Sequence, residues 1–78
     1  HYVYVLKSEK DGKLYTGWTI DLIKRLEKHN DGLVEATKDR RPLYLVYYEA
    51  CLLKEKAIER EQQLKTGFGR AYLKRRLK

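Results

Sequence analysis

The sequence predicts an α/β domain of the α+β kind, with elements in the order β-β-α-β-α-α. Three observations carry this. Two short runs rich in β-branched and aromatic residues, 2–6 and 13–18, surround a polar turn. A third, almost unbroken apolar run covers 43–48. Segments with apolar residues at helical spacing occupy 22–29, 53–65 and 70–78.

Residues 2–6 (Tyr-Val-Tyr-Val-Leu) suit a pleated surface. Residues 13–18 (Lys-Leu-Tyr-Thr-Gly-Trp) make the second strand, and Asp11-Gly12 supplies the left-handed backbone of a hairpin turn. A two-residue loop there pairs Lys10 with Lys13. Side chains alternate along a strand, so a register whose paired numbers sum to an odd value puts Tyr4 and Tyr15 on one face. Asp21 is a helix N-cap residue, and the helix runs from Leu22 to about His29. Leu22, Ile23 and Leu26 mark its buried arc, with Arg25 and His29 along one edge. Asn30-Asp31-Gly32 ends it, with Gly32 left-handed. Residues 33–42 read as an irregular basic loop. The run 43–48 suits a strand covered on both faces. In the helix that follows, Leu53, Ala57, Ile58 and Leu64 share a side. Glu61 projects into that apolar arc between Ala57 and Ile58, while Glu55 and Glu59 point away. Gly67 and Gly69 break the helix around Phe68, a candidate core anchor, and Arg70 to Lys78 forms a short basic helix.

A chain of 78 residues makes one domain with a modest core. It begins at His1 rather than Met, as a trimmed start would. No apolar run approaches bilayer length and no signal-peptide pattern opens the chain, so no membrane span is expected. The lone Cys51 has no internal disulfide partner and reads as an apolar filler beside Leu52 and Leu53. With no export signal, the cytoplasm is the expected compartment. Eighteen Lys and Arg against eleven Asp and Glu give a net charge of +7, which draws polyanions. From Lys65 onward there are six basic residues and no acidic one, a pattern that suits a phosphate-facing patch. A membrane-surface helix there would have only Tyr72, Leu73 and Leu77 as its apolar side.

Together the elements offer two phenols, a guanidinium, an imidazole and a carboxylate, an inventory able to hold a metal ion and cleave a phosphodiester. A carboxylate facing a core must be paired, neutralised or metal-bound, so Glu61 is either a metal ligand or a rim residue paired with Lys65. A hard cation such as Mg²⁺ needs only one or two protein carboxylates. Arg25 either stabilises charge on phosphoryl oxygens or pairs with Asp21. His29 either positions water or phosphate, or lies exposed at the helix end. Tyr4 or Tyr15 either helps deprotonate a water or packs in the sheet; a free phenol has a pKa of about 10, which a nearby cation such as Arg25 lowers. Gly17 either relieves crowding or lets phosphate approach the backbone.

The order Tyr2-Val3-Tyr4, Tyr15-Thr16-Gly17, Arg25, His29, Glu61 resembles the GIY-YIG nuclease family. The segments His29-Asn30-Asp31-Gly32, Thr37 to Pro42, Tyr47-Tyr48-Glu49 and Ala57 to Lys65 resemble its small stand-alone bacterial members, which are similar to the excision-repair nuclease. The similarity covers nearly the whole chain. Tyr2 stands where the motif has its first glycine and Thr16 where it has isoleucine.

The resemblance implies a single nuclease-like domain over 1–78, with a small, mainly antiparallel three-stranded sheet flanked by helices. It implies a DNA endonuclease dependent on one divalent ion, Mg²⁺ or Mn²⁺, held by Glu61. Tyr4 and Tyr15 would be the motif tyrosines, at least one near the attacking water. Arg25 would stabilise the phosphate, and His29 would be auxiliary. The expected substrate contacts are Gly17, Lys38, Arg40, Lys65, Arg70 and Lys74. Specificity is expected from DNA shape or ends, from a protein partner, or not at all. The rival expectation is a nucleic-acid-binding module of the same fold without turnover; a second is a scaffold whose charge serves solubility. The catalytic expectation requires the scattered groups to meet around one water-accessible site.

Overall fold

The computed structural model describes residues 1–77; Lys78, the last residue of the basic tail, lies outside the described residues. The strands are β1 (Tyr2–Ser8), β2 (Leu14–Thr19) and β3 (Leu43–Ala50), and the helices are α1 (Leu22–Asn30), α2 (Lys54–Leu64) and α3 (Gly67–Arg76). A 3-10 turn at Lys38–Arg40 interrupts the loop before β3. The order is β-β-α-β-α-α, and the sheet is antiparallel throughout with spatial order β2-β1-β3. Among the described residues no helix is long and apolar enough to cross a membrane.

β1 is central, and its residues Val3 to Leu6 are all buried because both sheet faces are covered. Val3 and Val5 pack with Ala57, Leu64 and Leu73 of α2 and α3. Tyr4 and Leu6 pack on the opposite face with Leu43 and with Leu22 and Leu26 of α1. Each fully buried aliphatic side chain contributes about 1.5–3 kcal/mol.

The hairpin is longer than the sequence predicts. Lys7 pairs with Leu14, and Ser8 N–H donates to the Lys13 carbonyl (3.0 Å), so residues 9–12 form the loop and Lys10 does not pair with Lys13. Side chains close the turn early. Ser8 Oγ accepts from the Lys10 and Asp11 N–H groups (3.1 and 3.2 Å), and Asp11 Oδ1 accepts from Lys13 N–H (2.8 Å). The register keeps its odd parity, so Tyr4 and Tyr15 share the α1 face.

β3 is an edge strand, and its cover is incomplete: Tyr44 and Tyr48 are 42% and 54% exposed. A register shift opposite Val5 and Leu6 explains its unbroken apolar run. Leu43 and Leu45 face α1, while the neighbours Val46 and Tyr47 both pack toward α2 and α3.

Three helix details differ from expectation. Ile23 is 73% exposed and His29 is fully buried, so the inward arc of α1 is Leu22, Arg25, Leu26 and His29. The helix turns its polar residues inward because the Tyr4 hydroxyl provides a buried partner there. α3 starts at Gly67 rather than Arg70, with Thr66 as its cap accepting from Gly69 N–H (3.3 Å). Phe68 is 93% exposed and anchors no core. Gly69 is buried where α3 meets the end of α2; a Cβ there would lie 2.3 Å from Leu64 Cα and from the Gln63 carbonyl oxygen. Gly69→Ala is expected to cost about 1–3 kcal/mol, because backbone cannot give way as a side chain tip can. Thermal unfolding checks this; a Tm within a degree of the parent chain would refute the tight contact.

Candidate active site

Arg25 and His29 lie one turn apart on the inward side of α1, facing the sheet residues Tyr4 and Tyr15. Asp21 sets the helix start, its carboxylate accepting from Lys24 N–H at 3.1 Å, and so does not pair with Arg25. At the other end Asn30 spans the gap to β3. Its amide donates to the Leu43 carbonyl and its carbonyl accepts from Leu43 N–H, both at 2.8 Å. The side chain imitates a strand partner and locks the position of its neighbour His29.

Four polar side chains then form one chain of contacts. Arg25 Nε–H donates to the Tyr4 hydroxyl oxygen (3.1 Å). The Tyr4 hydroxyl lies 2.9 Å from His29 Nε2, and His29 Nδ1 lies 2.7 Å from Thr37 Oγ1. With the imidazole proton on Nδ1, every link has a donor and an acceptor: Arg25 to Tyr4, Tyr4 to His29, His29 to Thr37. His29 and Thr37 are both fully buried. His29 is therefore not the exposed helix-end residue that its position suggested.

Burial decides the ionisation of this chain. It holds the His29 pKa down to about 4, with the Arg25 charge adding to the effect, so the imidazole is neutral at pH 7. Burial also raises the Tyr4 phenol, and the hydrogen bond and charge of Arg25 oppose this without overcoming it. The expectation that Arg25 lowers the tyrosine is thus half right: the pull is present and desolvation outweighs it. Arg25 itself is raised, chiefly by its bond to Tyr4.

The linkage sign for His29 follows. Its folded pKa lies below the ordinary 6.5, so between about 6.5 and 4 the unfolded chain holds a proton that the folded chain lacks. Stability contributed by neutral His29 is present above 6.5 and is lost as pH falls toward 4. The loss approaches about 1.4 kcal/mol per pH unit, the slope of one proton. His29→Gln is expected to flatten this part of a stability–pH profile from urea unfolding. Parallel profiles for the two chains would contradict the assignment.

Gly17 faces Tyr4 directly across the β1–β2 pair, and a Cβ on it would lie 2.5 Å from the Tyr4 hydroxyl and 2.7 Å from Cζ. The space left by the missing side chain is filled by the phenol. Gly17 is buried, so phosphate does not approach its backbone as a substrate contact would. The glycine makes room for Tyr4 instead. Tyr4 is 2% exposed as a result, so it packs in the sheet. Tyr15 is half-buried, its ring edge-on to His29 with centroids 5.1 Å apart.

Glu61 comes from α2, which packs on the other sheet face. It lies in the apolar arc, its side chain 13% exposed, with Lys65 Nζ at 3.4 Å and Gln62 Nε2 at 3.4 Å. Glu61 thus pairs with Lys65, as the rim reading expected, although it sits within the apolar arc. Its charge is the smallest of the contributions that raise the Tyr4 phenol. One residue before Glu61, Arg60 Nε–H donates to both Glu49 oxygens (3.0 and 3.1 Å), and Tyr47 O–H donates to Glu49 Oε2 (2.6 Å). This anchors α2 on β3.

Among the described residues no three His, Cys, Asp or Glu side chains gather as a metal-ligating group. A divalent ion would have Glu61 as its protein ligand, with water and phosphate completing the shell. Hard cations accept that donor set, and the carboxylate's remaining contacts are long, so Glu61 fits the role.

The groups do not open into one hollow, so the single water-accessible site that the catalytic expectation requires is not formed in this structure. Tyr15, Lys65 and Arg70 line a small cleft of about 230 Å³, while Arg25 lines another of about 500 Å³ with Trp18, Ile20 and Lys54. Lys74 lines a third with Lys7 and Arg76. Lys38 and Arg40 are not part of these linings. Lys38 pairs with Glu35 (3.1 Å). Arg40 donates to Asp11 Oδ2 (3.0 Å), and its carbonyl accepts from Ser8 Oγ (2.6 Å), so it braces the hairpin rather than waiting for phosphate. Thr37 and Asn30 were not singled out as site residues by sequence; their membership of the family-like segments was the one signal.

Residues 1–76 match the pattern of the GIY-YIG catalytic domain. A UPF0213 protein of Staphylococcus saprophyticus is 49% identical over 67 residues, 85% of this chain and 80% of that protein. One from Staphylococcus aureus is 48% identical over the same shares. The solution NMR structure of a UPF0213 protein from Bacillus halodurans superposes with a TM-score of 0.57 at 37% identity, over 94% of this chain and 80% of that one. With the match spanning almost every residue, and relatives of near-equal length, the chain belongs to the GIY-YIG catalytic-domain family.

Proposed function

We propose that the chain is a divalent-metal-dependent DNA endonuclease in which Tyr4 passes a proton from the attacking water to His29. The observation that carries this is the Arg25–Tyr4–His29–Thr37 chain, in which a neutral imidazole at 2.9 Å stands behind the phenol. A phenol raised by burial is a poor base if it must first ionise. It is a good relay. As water oxygen attacks phosphorus, a water proton moves to the Tyr4 oxygen and the Tyr4 proton moves to His29 Nε2. The bond from phosphorus to the leaving oxygen breaks, and that oxygen takes a proton from solvent. No free phenolate forms.

Arg25 has two tasks in this scheme. It orients Tyr4 through Nε, and its remaining N–H groups face the developing negative charge on the phosphoryl oxygens. Phosphate next to Arg25 would offset the cationic contribution, the smaller of the two causes that lower His29, and burial remains the larger. Thr37 fixes the imidazole tautomer. Lys65 and Arg70, beside Tyr15, hold the strand. A divalent ion at Glu61 would supply Lewis-acid stabilisation of phosphoryl charge.

The test is a cleavage panel of duplex, branched and single-stranded DNA with Mg²⁺, with Mn²⁺ and with chelator. Cleavage that needs the ion and falls by at least about a hundredfold on its removal is expected. Undiminished cleavage in chelator, or none on any substrate with either ion, overturns the proposal.

A further inference from the structure

A second basic hollow lies beyond the Tyr15 cleft, between the sheet and α3. Its volume is about 640 Å³. Four cations rim it: Lys7 from β1, and Arg70, Lys74 and Arg76 from α3. Among the described residues no carboxylate lines it and none of the four forms an ion pair, although Arg76 lies over the Tyr72 ring, 5.2 Å from its centroid. Its floor includes Leu14 and Tyr44, which are 40% and 42% exposed. Leu14 and Arg70 also line the Tyr15–Lys65 cleft, so the two hollows share a wall and run into one another.

Cations around an exposed aromatic ring are what an unpaired nucleic-acid strand selects. The charges follow the phosphates, and the ring offers a face to a base whatever its identity. A duplex uses the charges alone, because its bases are already stacked.

We infer that this groove binds a short unpaired segment of substrate strand flanking the cleavage point, with a base on Tyr44 and phosphates on Lys7, Lys74 and Arg76. The inference deepens the nuclease proposal by naming the substrate: DNA with a single-stranded tail or gap beside the cut. The groove itself needs no turnover.

Binding by the Glu61→Gln chain without added metal therefore tests it separately from catalysis. Fluorescence anisotropy compares a blunt DNA duplex, the same duplex with an unpaired tail, the tail alone as DNA, and the tail alone as RNA. The tailed duplex is expected to bind at least about tenfold more tightly than the blunt one. Adding Tyr44→Ala should remove most of that advantage, while Tyr44→Phe, which keeps the ring, should retain it. Lys74→Ala should lower the salt slope for the tail by about one. Equal affinity for blunt and tailed duplexes overturns the inference, as does a tail advantage that survives Tyr44→Ala. Near-unfolding caused by Tyr44→Ala would show in circular dichroism, and the Lys74→Ala slope then decides alone. Tighter binding of the RNA tail than the DNA tail would keep the groove and move the substrate to RNA. Loss of cleavage with preserved tail binding would strike the nuclease proposal and leave this one standing.

Discussion

Arg25→Ala and Glu61→Gln are each expected to reduce Mg²⁺-dependent nicking of plasmid DNA by about a thousandfold or more, with circular dichroism and elution volume unchanged. The magnitude reflects what each removes. Loss of one pre-positioned donor to a developing oxyanion costs about a hundred- to a thousandfold, and an arginine aimed at a transferring phosphoryl group is worth about a thousandfold or more. Arg25→Ala removes such a donor and also the 3.1 Å bond that orients the Tyr4 hydroxyl. Arg25→Lys should recover only a small part, because a lysine ammonium cannot hold the phenol with one N–H and present a planar fork to phosphate. Glu61→Gln keeps the shape of the side chain and deletes the charge that a cation requires. It also frees Lys65 from a 3.4 Å contact, so DNA binding should stay level or tighten while cleavage collapses. That split between binding and turnover separates a ligand for metal from a structural carboxylate. Unchanged nicking in both variants would eliminate the assignment.

Gly17→Ala gives the second large effect, through packing. The new methyl would meet the Tyr4 hydroxyl at 2.5 Å and Cζ at 2.7 Å. The phenol cannot swing aside without breaking its bonds to Arg25 and His29. The expected result is a stability loss of about 1–3 kcal/mol and a fall in cleavage rate of at least about a hundredfold. Tyr4→Ala in the same chain removes the clashing ring. The stability costs of the two substitutions should then be strongly non-additive, the double variant being little worse than Tyr4→Ala alone. Strict additivity in urea unfolding would show that the two residues do not collide.

Much of this molecule was open to inspection in one dimension. The alternation in Tyr2-Val3-Tyr4-Val5-Leu6 announced β1, and odd register parity alone placed Tyr4 and Tyr15 on one face although the loop length differed from expectation. The helical spacing of Ala57, Ile58 and Leu64 put Glu61 inward, where its side chain is found 13% exposed. These features are local: they depend on side-chain period and on residues a few positions apart.

The misjudged polar groups depend on partners remote in sequence. His29 looks like a polar helix-end residue until Tyr4 and Thr37 arrive to bury and satisfy it. Arg40 looks like a free cation until Asp11 reaches it across 29 positions. Phe68 looks like a core residue, yet Gly69 lets α3 sit so close to α2 that the core is already filled by Leu64 and Leu73.

The order of elements, the shared face of the two phenols and the inward aim of the acid at 61 were thus properties of the chain alone, since period and parity need no third dimension. Which polar groups are wet and which are sealed, and therefore that a neutral imidazole backs the first phenol, belonged to the tertiary structure. The reason is physical: ionisation and hydrogen bonding answer to solvent exclusion, and solvent exclusion is set only when separate layers close over one another.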